Sequence, residues 1–210
     1  MRALIATQVA AAVTVAVIVT LLSGAPTMAR PDPAPIGHAQ RAPSAISEQE
    51  GDDSIVQLRR QIEENSLTPA QAQALQARVS RVIARTGGTQ VAINQVVWNG
   101  GDTLIPLPGE QRARELGRQA RAGTVHGCHY YQFCTYGHRD YSGMVDRISS
   151  CTWHISHGFF VAYVNNQTPG TRARFYDYYR HYLATSQPAF SQDARFGNTL
   201  GHQTHYIKPC

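Results

Sequence analysis

The strongest constraint on how this chain folds lies in residues 128–143. Cys128 and Cys134 stand close together, and the segment then runs Tyr136, four residues, Tyr141, one residue, Gly143. Two nearby cysteines can close a tight loop. A glycine at a fixed distance from two aromatics marks a backbone position that a side chain would obstruct. From residue 123 to 210 aromatics are dense, glycines recur and helical periodicity disappears. Short apolar runs at 159–164 and 173–176 are separated by turn-like stretches, of which 165–170 is the clearest. The pattern is that of an all-β domain. A domain this small is marginal on core burial alone, so crosslinks matter to it.

All four cysteines, Cys128, Cys134, Cys151 and Cys210, fall in that region. An even number in an exported chain reads as two disulfides, although spacing alone leaves three pairings open. A structural zinc site is the rival, because most of the histidines share the same third of the chain. There is no CxxC and no HExxH, and the His154/His157 and His202/His205 spacings are weak zinc signals. The amino terminus supports export. Arg2 is the only charge before Arg30, and residues 3–22 are apolar except for Thr7, Gln8, Thr14 and Thr20. Small residues follow, ending at Ala29. Residues 1–29 therefore read as a secretory signal peptide, cleaved near Arg30, giving a secreted chain with no stable membrane anchor. The apolar run is nearly long enough to span a bilayer, but no basic stop-transfer cluster follows it. The formal net charge is +5. The arginines are scattered rather than clustered, so a nucleic-acid footprint is not expected.

Residues 30–53, rich in Pro, Ala, Ser, Asp and Glu, read as a disordered linker. Residues 54–122 read as a helix and β-hairpin segment. Ser54 can cap a helix carrying Ile55, Leu58 and Ile62, and Asn65 and Ser66 break it. Thr68 and Pro69 form an N-cap and first-turn pair, Leu75, Val79, Val82 and Ile83 repeat at helical spacing, and Gly87 and Gly88 stop the helix. Residues 90–98 then form one strand, Asn99 and Gly100 a hairpin turn, and 103–107 the return strand, ended by Pro106 and Pro108. Residues 110–122 are polar and arginine-rich, a second linker or helix.

The spacing of Tyr136, Tyr141 and Gly143 resembles the signature of βγ-crystallin Greek keys. Together with Cys151, Trp153, the run from Tyr163 to Asn166, Phe175, Tyr176, Asp177 and Cys210, the chain resembles the secreted actinobacterial proteins of peptidase inhibitor family I36. Gly87 to Gln90, Asn94, Trp98, Asn99 and Gly100 resemble an amino-terminal segment often attached to such domains, so the likeness covers residues 85–210. It implies a mainly β protein whose residues 123–210 form a disulfide-bonded βγ-crystallin-like double Greek key, with two aromatics beneath a folded hairpin. It implies disulfides Cys128–Cys134, around a small aromatic loop, and Cys151–Cys210, tying the end of the first Greek key to Cys210. It also implies a secreted protein-binding domain, a proteinase inhibitor of the metalloproteinase-inhibitor kind. The alternative is a cell-envelope or carbohydrate-binding, killer-toxin-like protein without enzymatic activity. The partner is then an extracellular proteinase or an envelope component. In the second Greek key, Tyr176 is followed by His181 and Leu183 where an aromatic and a glycine belong, which is a departure from the family pattern.

No cofactor or metal is expected. Residues 157–162 and 200–205 lack the carboxylate oxygens that calcium needs, and in 146–150 Arg147 puts a cation beside Asp146. No GxSxG elbow marks a nucleophile, and paired cysteines leave no thiolate, so the chain does not read as an enzyme. The Cys128–Cys134 loop is the best contact candidate because a disulfide would preorganise it and it carries His129, Tyr130 and Tyr131. The competing reading turns Tyr131 and Phe133 into the core as the first strand. Tyr178, Tyr179 and Tyr182 read as core and cross-strand pairs in preference to an exposed patch. Asn166 begins a glycosylation sequon in a stretch that equally reads as a turn.

Overall fold

The computed structural model describes residues 46–116, 123–156 and 158–210. The expected signal peptide, residues 30–45 of the linker, residues 117–122 and His157 lie outside them.

Helix α1 runs Ile46–Glu64. It starts inside the stretch read as linker, so residues 46–53 are helical. Ser47, Glu48, Gln49 and Glu50 explain the correction, since Glu and Gln are good helix formers even without an apolar period. Helix α2 runs Pro69–Thr86 and carries the caps that its sequence announces. Thr68 N–H donates to Gln71 Oε1 and Gln71 N–H to Thr68 Oγ1, a reciprocal capping box, at 2.9 and 3.3 Å. Gly87 takes the left-handed conformation, and its N–H closes on Ile83 O at 2.8 Å. Leu75, Val79 and Val82 of α2 are buried against Ile93, Val96, Ile105 and Leu107, with Leu58 and Ile62 of α1 packed alongside. Each such aliphatic side chain contributes roughly 1.5–3 kcal/mol.

The strand expected over 90–98 is two strands, β1 (Thr89–Ala92) and β2 (Gln95–Trp98). Asn94 breaks it. Its buried amide donates to Ile105 O at 3.0 Å and to Arg114 O at 2.9 Å, partners that lie far along the chain. The turn at Asn99 and Gly100 forms as expected, pairing Trp98 with Gly101. Its return strand, β3, is Gly101–Leu104, offset from the 103–107 expected. Next come β4 (Gln132–His138), β5 (Ser142–Ile148), β6 (His154–Ile155) and β7 (Ala162–Asn166). They are followed by β8 (Arg174–Tyr176), β9 (Tyr182–Thr185), β10 (Ser191–Asp193), α3 (Asn198–Gln203) and β11 (Tyr206–Lys208).

The protein is mainly β, with two antiparallel sheets. Seven strands lie in the order β1-β2-β3-β5-β4-β7-β10 and four in the order β6-β11-β8-β9. Strands β4 to β7 and β8 to β11 form two sets of four, and each set gives its third strand to the other's sheet. This exchange interlocks the two sheets around Phe133, Phe160, Tyr163, Phe175, Phe196 and Ile207. Phe175 and Phe196 meet at 4.9 Å between ring centres, within the range that favours aromatic pairs. Strand β3 pairs with β5, so the first sheet runs without a break from the residues before 122 into those after it.

The 136–143 motif folds one hairpin. Tyr136 is fully buried, its ring edge-on to Tyr141 at 5.5 Å. Gly143 has φ of +78°, and a Cβ there would meet His138 Nδ1 at 2.9 Å. In the hairpin between β8 and β9, which lacks the glycine, Arg180 takes the left-handed conformation, as Asp140 does at the matching place in the first hairpin. Asp177 braces that turn, accepting from His181 N–H at 2.8 Å and His181 Nδ1 at 3.0 Å. Both expected disulfides are present, Cys128–Cys134 and Cys151–Cys210, with Cα separations of 5.8 and 5.2 Å. Among the described residues no helix is long and apolar enough to cross a membrane.

Candidate binding surfaces

The loop closed by Cys128 and Cys134 is pinned from several sides. Val125 and Cys128 exchange backbone hydrogen bonds at 2.9 and 2.8 Å, and Tyr131 N–H donates to Asn166 O at 2.8 Å. The Asn166 side-chain amide donates to Gly123 O at 2.7 Å and Cys128 O at 3.0 Å. That amide nitrogen is therefore buried and engaged, so the folded chain does not offer the sequon to a glycosylating enzyme.

Two of the three expected contact residues face outward. Tyr131 is 62% exposed and Tyr130 38%. Their rings lie 3.9 Å apart, and Phe190, itself 59% exposed, stands 5.7 Å from Tyr130. Tyr131 has φ of +71°, just before β4 begins at Gln132. The competing reading of an inward pair fails for Tyr131 and holds for Phe133, which is fully buried. A groove of about 250 Å³ opens beside Phe190, floored by Val164, Asn165 and Asn166.

His129 departs from expectation. Its ring turns away from the tyrosines, into a charge cluster on the other side of the loop. His129 Nε2 lies 3.1 Å from Arg147 Nη1 and 3.4 Å from Glu115 Oε1. Arg147, 2% exposed, bonds through Nε to both carboxylate oxygens of Asp102 at 3.1 Å and through Nη2 to Glu115 at 2.8 Å. Burial works against this guanidinium's charge, yet the hydrogen bonds and field of Asp102 and Glu115 outweigh it and hold the proton more tightly than usual. Gln95 donates to Asp102 at 2.8 Å. A cleft of about 350 Å³ opens over the cluster. No residue spacing announces this cluster, which gathers four separate segments.

Asp146, the closest thing to a calcium ligand, is also occupied. Thr103 Oγ1 donates to it at 2.6 Å, and Trp98 Nε1 donates to Thr103 at 3.0 Å. Among the described residues no three His, Cys, Asp or Glu side chains are grouped to hold a metal. Of the weakly spaced histidines, the described ones, His154, His202 and His205, serve packing. His154 is buried with Ser150 and Thr152, and His202 stacks on Phe159 at 4.6 Å. His205 lies 4.9 Å from Tyr178 and 4.7 Å from Tyr206.

A second surface lies on the four-stranded sheet. Tyr178, Tyr179 and Tyr182, expected in the core, are all exposed, because the chain turns between Asp177 and His181 instead of running on as one strand. Tyr182 does form the cross-strand pair, edge-on to Tyr176 at 6.0 Å. Trp153 is 42% exposed beside them, 4.6 Å from Tyr176. Compared with family models, curated proteins and solved structures, the chain matches none.

Proposed function

We propose that this is a secreted, non-enzymatic protein-binding domain, a proteinase inhibitor of the metalloproteinase-inhibitor kind, whose residues 123–210 form a βγ-crystallin-like double Greek key. For the fold, the support is the mutual exchange of β6 and β10 between the two sheets and the hairpin built on Tyr136, Tyr141 and Gly143. For secretion, it is the two disulfides, which suit an oxidising compartment.

One observation carries the function. Tyr130 and Tyr131 form a paired aromatic knob on a loop already fixed by a disulfide and by backbone bonds to β7. An inhibitor must bind without losing much entropy, and a rigid loop has little left to lose. Tyrosine is a favoured anchor at such contacts because it brings area with few rotatable bonds.

The test uses the whole secreted chain, since β3 covers the edge of β5 and Asp102 neutralises Arg147. Titrated against secreted metallo-, serine and cysteine proteinases, the protein should inhibit one class stoichiometrically. Tyr131→Ala should weaken inhibition at least about tenfold, a loss in the usual hot-spot range. The melting temperature should not change, because Tyr131 is 62% exposed. No inhibition across the panel, or inhibition indifferent to Tyr130 and Tyr131, would end this reading.

A further inference from the structure

The outward face of the four-stranded sheet has a chemistry of its own. Strand register sets Ile155, Tyr206, Tyr176 and Tyr182 in one row across β6, β11, β8 and β9. The neighbouring row, His154, Ile207, Phe175 and Ala184, faces the core. Alternation along β11 and β8 points Tyr206 and Tyr176 outward, and the bulge between Tyr182 and Ala184 turns Tyr182, 59% exposed, onto the same face; neighbouring strands stand about 4.7–4.9 Å apart. Trp153 closes the platform, 4.6 Å from Tyr176 and 6.2 Å from Tyr206.

Cations are fixed onto these rings. The Arg180 guanidinium stands 5.4 Å from the centre of Trp153 and 5.1 Å from that of Tyr206, and Lys208 Nζ is 5.9 Å from Trp153. Arg174 is exposed and in register with Lys208. Strands β6, β8, β9 and β11 contain no acidic residue. The nearby carboxylate of Asp177 is engaged by His181 at 3.0 Å. The face is thus a strip of rings with net positive charge, Arg174, Arg180 and Lys208 against the nearby carboxylate of Asp177.

We infer that this strip binds an acidic polysaccharide, one bearing uronate or phosphate groups along a linear chain. Sugar rings present flat C–H faces that stack on exposed aromatics, and a row of rings at strand pitch suits successive units of one chain. The acidic groups explain the cations. Arginine offers a planar fork to carboxylate or phosphate, and its stacking on Trp153 and Tyr206 preorganises that fork. Single-stranded nucleic acid is read with similar devices. The disulfides favour an oxidising compartment, where a glycan polyanion is the better fit. This inference does not depend on the inhibitory reading, which concerns a loop on the other sheet.

The experiment is isothermal titration of the intact, disulfide-bonded protein with three probes: an oligogalacturonate, its uncharged methyl ester and an oligothymidylate. The oligogalacturonate should bind, and more weakly as salt rises. The ester should not. Tyr182→Ala and Arg180→Gln should each weaken binding about fivefold or more, the size of one partly desolvated cation–π or stacking contact. Melting temperatures should hold, because both side chains are exposed, and Lys208→Gln provides a further variant should either fail to fold. Tyr131→Ala should leave glycan binding unchanged, so a failed proteinase panel would not touch the result. Equal binding of the ester, tighter binding of the oligothymidylate, no binding at millimolar concentration, or variants without effect would each overturn the assignment.

Discussion

Replacing Arg147 with methionine should destabilise the protein well beyond the loss of one side chain. The guanidinium is 2% exposed and bonds to Asp102, Glu115 and, at 3.4 Å, Gly127 O. Methionine refills the space of the stem but removes the charge, leaving Asp102 and Glu115 without the guanidinium that joins them and only His129 beside Glu115 at 3.4 Å. Breaking a buried pair from one side costs about 3–5 kcal/mol. Here the two acidic side chains keep 12% and 13% of their exposure, so water relieves part of the penalty. We therefore place the loss near the lower end, about 3 kcal/mol, or about 6–12 °C in melting temperature for a chain of this size. The cycle is completed by Asp102→Leu and the double variant, each unfolded in denaturant with disulfides intact. Asp102→Leu alone leaves the arginine with Glu115 as its remaining acidic partner and should cost less than Arg147→Met. The double variant should be more stable than the sum of the singles by about 1–3 kcal/mol. A single-variant loss under about 1 kcal/mol, or strict additivity, would refute the idea that this cluster clamps β3 and residues 110–116 onto β5 and the disulfide loop.

Two other outcomes follow from the fold. The crosslinks close loops with sequence separations of 59 and 6 residues, so removing Cys151–Cys210 should cost about 4 kcal/mol and removing Cys128–Cys134 about 2 kcal/mol; alanine pairs compared in denaturant melts would refute this by reversing the order. His126 lies against Tyr141 at 3.9 Å, and burial, then the charge of Arg112, lower its pKa below 6.5 despite a hydrogen bond with Gln192. Since the folded value is the lower one, its contribution to stability is complete above pH 6.5 and is lost as pH falls through that value towards the folded one. His126→Gln should flatten the stability–pH curve in that window, and an unchanged slope would count against it.

Where structure follows from neighbours in sequence, it was legible. Thr68, Pro69 and Gly87 bound α2 through caps that need only adjacent residues. The Asn99–Gly100 turn and the Tyr136, Tyr141, Gly143 hairpin are likewise local. What escaped depends on distant partners or on strand parity. Asn94 breaks its strand because Arg114 O and Ile105 O wait for its amide, and nothing near Asn94 announces them. Tyr131 and Phe133 have the same parity, so a strand covering both would bury both. The left-handed backbone at Tyr131 delays the start of that strand to Gln132, and a single residue decides which ring is exposed. The Arg147 cluster draws on β3, β5, the disulfide loop and residue 115. Its one sequence signal was an arginine set between Asp146 and Ile148 in a strand, which read instead as an obstacle to calcium.

The exchange of strands also bears on how the two surfaces can act. The aromatic knob precedes β4 in the seven-stranded sheet, and the tyrosine strip belongs to the four-stranded one. Each sheet is completed by a strand from the other half, β10 in the first and β6 in the second. Sliding one sheet over the other would have to break the pairing of β10 with β7 or of β6 with β11. It would also have to shear the close-packed rings of Phe133, Tyr163, Phe175 and Phe196 between them. The design gives up the hinge that a closing active site would use. In return each surface keeps its shape before anything binds. That is the property an inhibitory loop would require, and a strip reading a repetitive polymer would require it as well.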